Sequence, residues 1–218
     1  MNIVDYSVAR PSPAVIKAGY VGVMRYVAPI GAASGTAFGG ADDSAKVLFA
    51  PENAALHAAG LAVGLNWEWY TNRAREGTGA GHVDALETLR QSNLLSYQGA
   101  LYFSIDYDAP EADQPALDAY FIACAQIVGL KRLGAYGGYW PLFRLFNAGL
   151  ITYGWQALAW SGTNRESRAH LFQNGSAPTI PGTDVDLILK PDWNGLPIGP
   201  NIPNVISLLQ QAITELEH

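Results

Sequence analysis

Two hydrophobic patterns alternate along this chain. Short apolar runs of strand length are separated by longer stretches in which apolar residues recur every three or four positions, the spacing of a helix with one buried face. The runs at residues 2–4, 21–27, 61–67, 100–105, 132–136 and 153–159 predict six strands, and residues 170–173 and 184–189 add candidates for a seventh and eighth. The amphipathic stretches predict helices over 51–59, 79–95, 113–128 and 140–147. A shorter helix follows the first strand, with Ser12 as its N-cap, Pro13 at its first position and Gly19 at its end. Apolar runs without alternation are the mark of strands covered on both faces, as in a parallel sheet wrapped by helices.

Eight strands with regular helices only in the first two thirds predict an α/β fold: a single (β/α)8 TIM-like barrel whose last helices are reduced or missing. An open doubly wound sheet is the alternative. Residues 1–190 are assigned to the barrel. Residues 191–203 read as a proline-rich bridge, and 205–216 as a final helix packing on the barrel. The small-residue stretch 31–43 is long enough to suggest a functional rim over the site.

Length and composition agree with one domain: 218 residues, 49% hydrophobic and 15% charged. The net charge is -6, with Lys and Arg scattered along the chain, which argues against nucleic-acid binding. No apolar stretch reaches the roughly 20 residues of a membrane span. No signal peptide is visible, because the first strand begins almost at once, and Leu216-Glu-His218 has the look of an expression-tag remnant. The single cysteine, Cys124, lies in the buried stripe of the helix over 113–128, so a disulfide framework is excluded. The chain is read as a monomer.

The chemistry suggested by the pattern sits where apolar runs end in acids. Leu101-Tyr-Phe-Ser-Ile is followed by Asp106-Tyr-Asp108, and strand residues two apart point to one side. Asp5, Glu68 and Asp186 also close strand-like runs. The C-terminal ends of barrel strands are where such folds keep their active sites. Carboxyls crowded in an apolar pocket split their proton affinities, which suits general acid catalysis of glycosidic cleavage. Asp108 is the candidate general acid, with Asp106, Asp5 and Asp186 stabilising the transition state or activating water. The same spacing suits turn and cap chemistry, and Glu68 is equally well placed to pair with Arg73 or Arg75.

Aromatic residues gather at the same strand ends: Trp67, Trp69, Tyr70, Tyr107, Tyr136, Tyr139, Trp140, Trp155 and Trp160. Rings of this kind pack on sugar faces, while Gln156 and Gln173 can bond hydroxyls. The candidate substrate-binding set is therefore Glu68, Trp67, Tyr107, Tyr136, Trp155, Gln156, Trp160 and Gln173. His57, His82, His170 and His218 lack metal-ligand spacing, so no metal or cofactor is expected, although Asp106 with Asp108 has the donors for Mg²⁺. Gly134-Ala-Tyr-Gly-Gly138 lacks a nucleotide-binding spacing, and no G-x-S-x-G elbow is present.

Six segments together resemble a known family: Val4-Asp5-Tyr-Ser, Tyr102-Phe-Ser-Ile-Asp106-Tyr-Asp108, Leu133-Gly-Ala-Tyr136-Gly-Gly, Trp155-Gln-Ala-Leu-Ala-Trp160-Ser, Leu171-Phe-Gln173 and Val185-Asp186-Leu. They are similar to the glycoside-hydrolase-like domains of the DUF1906, or Rv2525c-like, group, which is related to the family 25 lysozymes, muramidases with an incomplete (β/α)8 barrel. The resemblance spans about residues 1 to 190. It implies a cell-wall glycoside hydrolase with peptidoglycan or an associated polysaccharide as partner, including the phage endolysin or tail-associated type. The lysozyme pattern of an Asp on strand one, Asp-x-Glu on strand four and an Asp on strand eight falls on Asp5, Asp106-Tyr-Asp108 and Asp186. Asp108 departs from it, standing where the lysozymes carry a glutamate general acid. A side chain one methylene shorter moves the proton donor by about 1 Å, enough to weaken or redirect the reaction. A carbohydrate-binding or structural domain without catalysis is the rival implication.

Overall fold

The structure is a computed structural model and describes residues 1–30, 46–176 and 178–195. Eight strands close into a barrel in chain order: β1 (Asn2–Asp5), β2 (Gly22–Val27), β3 (Ala62–Trp67), β4 (Leu101–Ser104), β5 (Leu133–Gly137), β6 (Tyr153–Ala157), β7 (Leu171–Gln173) and β8 (Asp184–Ile188). Five α-helices connect them: α1 (Pro13–Lys17), α2 (Ala50–Ala58), α3 (Thr78–Leu94), α4 (Gln114–Val128) and α5 (Tyr139–Asn147). The predicted elements are found with boundaries displaced by a residue or two. Among the described residues no α-helix follows β6, in line with the expected loss of the last helices. The stretch 31–43 and the helix predicted over 205–216 lie outside the described residues.

The last strand departs from the all-parallel barrel. β1 to β7 run parallel, whereas β8 is antiparallel to both β7 and β1. A parallel return needs a crossover of about a dozen residues or more, usually through a helix. Only the ten positions 174–183 separate β7 from β8, fewer than such a crossover needs, so the chain comes back in the opposite direction. Asp184 consequently lies level with Asp5, while Asp186 sits one inward position deeper, opposite Ile3 and Gln173.

Strand alternation divides the apolar residues into two cores. Val4, Val23, Val63, Leu65, Phe103 and Leu133 face outward into one core that also holds Ile16 of α1, Leu56 of α2 and Leu117, Tyr120, Phe121 and Cys124 of α4. α3 and α4 meet closely at Gly81, where a Cβ would stand 2.3 Å from the Tyr120 carbonyl oxygen. The Cys124 thiol rests 3.4 Å from the Gly81 carbonyl, and burial pushes it well above its ordinary pKa, which makes it a packing group.

Ile3, Met24, Ala100, Tyr102, Trp155 and Leu171 face inward around Trp193. Trp193 comes from the segment read as a bridge beyond the barrel, yet it is buried beneath it. Tyr102 donates to the Trp193 carbonyl at 2.7 Å, and the Ala100 N–H bonds the Asn194 carbonyl at 3.2 Å. A side chain at Gly64 would collide with the Trp193 ring at 2.8 Å, so the glycine makes room for this plug. No helix among the described residues is long and apolar enough to cross a membrane.

Candidate active site

Moving up each strand, the inward positions change from apolar to polar. Ile3 gives way to Asp5, Met24 to Tyr26, Gly64 to Asn66 and then Glu68, and Tyr102 to Ser104 and then Asp106. Glu68 and Asp106 lie just past their strands, but the backbone ladder continues to hold them. The Glu68 N–H bonds the Val27 carbonyl at 3.1 Å, and the Ile105 N–H bonds the Tyr136 carbonyl at 2.8 Å. Two groups of carboxyls result, at different depths.

Asp5 and Asp186 form the deeper group. Asp5 accepts from the Tyr26 hydroxyl at 2.8 Å and from the Gln173 amide at 2.8 Å. Gln173 in turn accepts from the Tyr136 hydroxyl at 2.9 Å, which fixes which end of the amide faces Asp5. Asp186, wholly buried, accepts from the Trp155 indole N–H at 2.7 Å through one carboxyl oxygen, and its other oxygen has no hydrogen-bond partner among the described residues. Burial raises both carboxyls. Asp5 is pushed up to about 6 against the pull of its Gln173 and Tyr26 bonds, with the charges of Asp184 and Glu68 adding to the rise. Asp186 rises well above the carboxylate range, through burial first and then the charge of Asp5. The charge of Asp5 makes ionisation of the buried Asp186 costlier still, so the pair favours keeping a proton.

Asp106 and Glu68 form the shallower group. Asp106 is half-buried, and its carboxyl is pushed up to about 6 by that burial and by the charge of Glu68, with Lys46 opposing. Glu68 is paired with Lys46 at 3.2 Å and accepts from the Ser104 hydroxyl at 3.4 Å. Ser104 itself accepts from the Asn66 amide at 2.8 Å. Tyr136 feels the charges of Asp106, Asp5, Glu68 and Asp186 and stands between the groups; burial pushes its hydroxyl far up, so it remains a hydrogen-bond donor.

Residues 14–187 match the family described as Rv2525c-like, glycoside hydrolase-like domain. The chain belongs to this family. Among solved structures it is similar to the Tat-secreted protein Rv2525c of Mycobacterium tuberculosis in complex with L-tartrate, at 24% identity and a TM-score of 0.78, over 88% of this chain and 97% of that one. It shares its fold with GHIP, a glycosyl hydrolase 25 of Streptococcus pneumoniae, at 15% identity and a TM-score of 0.56, over 87% of each chain. The modular autolysin LytC of the same species, in complex with a synthetic peptidoglycan ligand, matches at 14% identity and a TM-score of 0.56, over 85% of this chain and 46% of that one. A comparison with curated proteins finds no match.

In this Rv2525c-like domain the acids expected from sequence separate. Asp5, Asp106 and Asp186 join Glu68 around the mouth with buried or half-buried side chains, whereas the Asp108 side chain is exposed. Asp106 lies on the inward side of its strand and Asp108 continues into the loop that begins α4, so the pair does not converge on a shared Mg²⁺ site. Among the described residues no group of three or more His, Cys, Asp or Glu is placed to hold a metal ion. Glu68 is not bound to the arginines considered for it: Arg73 pairs with Asp84 and Glu76, and Arg75 with Asp113.

The expected sugar-binding residues also divide. Tyr136, Trp155 and Gln173 belong to the site, Trp155 as part of its floor. Trp160, half-buried against the inner core at the rim, holds a φ of 60°, a costly backbone for a bulky residue. Trp67 points the other way, into the outer core against the helices. Tyr107 donates to Asp113 at 2.9 Å at the start of α4. Gln156 is consumed by the next loop, donating to Ser161 at 3.0 Å and to the Asn164 carbonyl at 2.9 Å and accepting from the Glu166 N–H at 2.9 Å. Strand alternation carried the signal that separates these from the inward set. Alternation from Met24 also points to Tyr26, and alternation from Glu68 to Asn66, which were missed beside Lys46 and Ser104.

Proposed function

We propose that this domain is a glycoside hydrolase of the cell-wall class, acting on peptidoglycan or an associated polysaccharide with muramidase-like chemistry. The observation that carries the reading is Asp106: an inward, half-buried carboxyl whose pKa of about 6 lets it hold a proton in mildly acidic to near-neutral solution. Asp106 gives that proton to the glycosidic oxygen, which leaves with the bonding electron pair as positive charge grows on the anomeric carbon. The single charge shared by Asp5 and Asp186 stabilises that carbon. Water then adds its oxygen to the carbon and returns a proton to Asp106. Tyr136, Gln173 and Trp160 supply the ring faces and hydroxyl-bonding groups of the cleft.

Family membership supports a glycosidase ancestry, and the peptidoglycan ligand of the LytC structure belongs to a protein of the same fold. The role expected of Asp108 passes to Asp106 in this reading. The test is release of reducing ends from purified bacterial walls. Wild type is expected to release them, and Asp106→Asn to slow release by at least about 10²-fold, the usual contribution of a positioned general acid. The exposure of Asp108, the position of the lysozyme glutamate, favours a second reading in which the cleft binds glycan without cutting it. Wall binding with no reducing ends from any wall would decide for that second reading.

A further inference from the structure

A protonated acid in a glycosidase site needs a charged partner, and the mouth of this barrel supplies one from an unexpected strand. Glu68 extends β3, next to β4 in the barrel, and the register that sets Trp67 beside Phe103 brings Glu68 level with Ser104, two residues before Asp106. Its two oxygens are held separately. Lys46 bonds Oε1 at 3.2 Å, and the Ser104 hydroxyl donates to Oε2 at 3.4 Å. The Lys46 ammonium also bonds the Trp69 carbonyl at 3.4 Å and lies 5.9 Å above the Tyr26 ring, so the lysine ties together the ends of β2 and β3. The Lys46 side chain is 11% exposed and that of Glu68 20%, a depth at which an ion pair is screened far less than on the surface.

We propose that Glu68 is the charged carboxylate that faces the reacting sugar carbon beside Asp106, and that Lys46 is the positioning residue that keeps it there. The inference rests on the hydrolase reading above and goes beyond it by naming the group that complements the acid. Glu68 forms no bond in the reaction. Its negative charge opposes the positive charge that develops at the anomeric carbon, and the same charge helps to retain the proton on Asp106 until the leaving oxygen takes it. Asp108 is exposed, and among the described residues it has no ion pair of this kind.

The groups that surround Asp106 define the test: Glu68 from β3, Lys46 from the segment after β2, Tyr136 from β5, and the Asp5 and Asp186 pair with Tyr26 below. Glu68 raises the Asp106 carboxyl and Lys46 lowers it. Carboxyl ¹³C NMR titration of Asp106 is therefore expected to show a midpoint near 6 in wild type, a lower one in Glu68→Gln, a higher one in Lys46→Met and little change in Lys46→Arg. The alkaline limb of the pH–rate profile, set by loss of the Asp106 proton, should move the same way in each variant. Glu68→Gln should also cut reducing-end release by about 10²-fold, the scale of one lost transition-state electrostatic contact.

Opposite shifts in the two variants, with the rate loss in Glu68→Gln, sustain the proposal. An Asp106 midpoint that ignores both substitutions overturns it, as does full activity in a folded Glu68→Gln enzyme. Opposite shifts in the two variants, with a wild type that releases no reducing ends, uphold the Lys46–Glu68–Asp106 coupling while removing the hydrolase reading, so the two failures are distinguishable.

Discussion

The two ends of the barrel interior are built from the same inward positions of the same strands and have opposite character. At the lower end, Ile3, Met24 and Tyr102 close around Trp193, and their polar atoms are spent on backbone partners. At the upper end, one inward step along, stand Asp5, Tyr26 and Ser104, with carboxyls held in costly surroundings. A two-residue advance along a strand separates a group that stabilises the fold from one that burdens it. The lower end can bear that burden because it is sealed by apolar packing. The upper end is where the proposed chemistry is placed, because its acids are kept from full hydration.

The sharpest way to break this contrast is to neutralise the upper end selectively. Asp106→Asn should slow glycan release by at least about 10²-fold while raising rather than lowering the melting temperature at pH 7, because it removes a carboxyl whose ionisation burial opposes. The reverse is expected below: Trp193→Ala should destabilise by about 3–5 kcal/mol in denaturant titration, the usual cost of emptying a core tryptophan site. If Trp193→Ala left stability unchanged, the plug would not belong to the core.

A subtler test concerns the Asp5–Asp186 pair. Both carboxyls are raised in the folded state, so the folded protein binds more protons than the unfolded chain once pH exceeds about 4. Stability therefore falls with rising pH, for Asp5 across the window from about 4 to about 6. Asp186→Asn removes the carboxyl whose ionisation burial and the charge of Asp5 oppose, while the amide oxygen still accepts from Trp155. That variant should melt above wild type at pH 7.5, with the gap closing towards pH 4, and should lose activity. A gap independent of pH would show that the pair keeps no extra proton in the folded state. The smallest effect belongs to Asp108→Asn, expected to change reducing-end release by less than about 3-fold, since its side chain is exposed. A loss as deep as that of Asp106→Asn would return the general acid to Asp108.

Much of this protein could be read directly from residue order. Ser12-Pro13 marked a helix start, and the Ser12 side chain does accept from the Val15 N–H at 3.4 Å. The Leu117, Tyr120, Phe121, Cys124 stripe marked the buried face of α4. Asp5 and Asp106 were marked by their positions at strand ends and by family resemblance; Asp186 was marked by the resemblance, whereas the strand end expected of it is not found, because it lies in the middle of the reversed β8. These signals are local, because capping, periodicity and strand alternation act over a few residues.

What local signals left undecided was which acid, ring or amide faces the cavity. Asp106 and Asp108 share a motif, yet the chain turns towards α4 after Asp106 and carries Asp108 into solvent. Trp67 and Glu68 are neighbours, yet the pleat sends one into the helix layer and the other to the mouth. Lys46 and Trp193 carry no strand or motif signal, because each acts on segments distant in sequence: one on Glu68 and Trp69, the other on strands from β1 to β6. The sequence by itself determined the barrel, its missing late helices, the family and the acidic strand ends, since period and burial fix those. Only the tertiary structure decided the reversal of β8, the burial of Trp193, the separation of Asp106 from Asp108 and the pairing of Glu68 with Lys46, because these depend on how closing the barrel brings remote side chains to one depth.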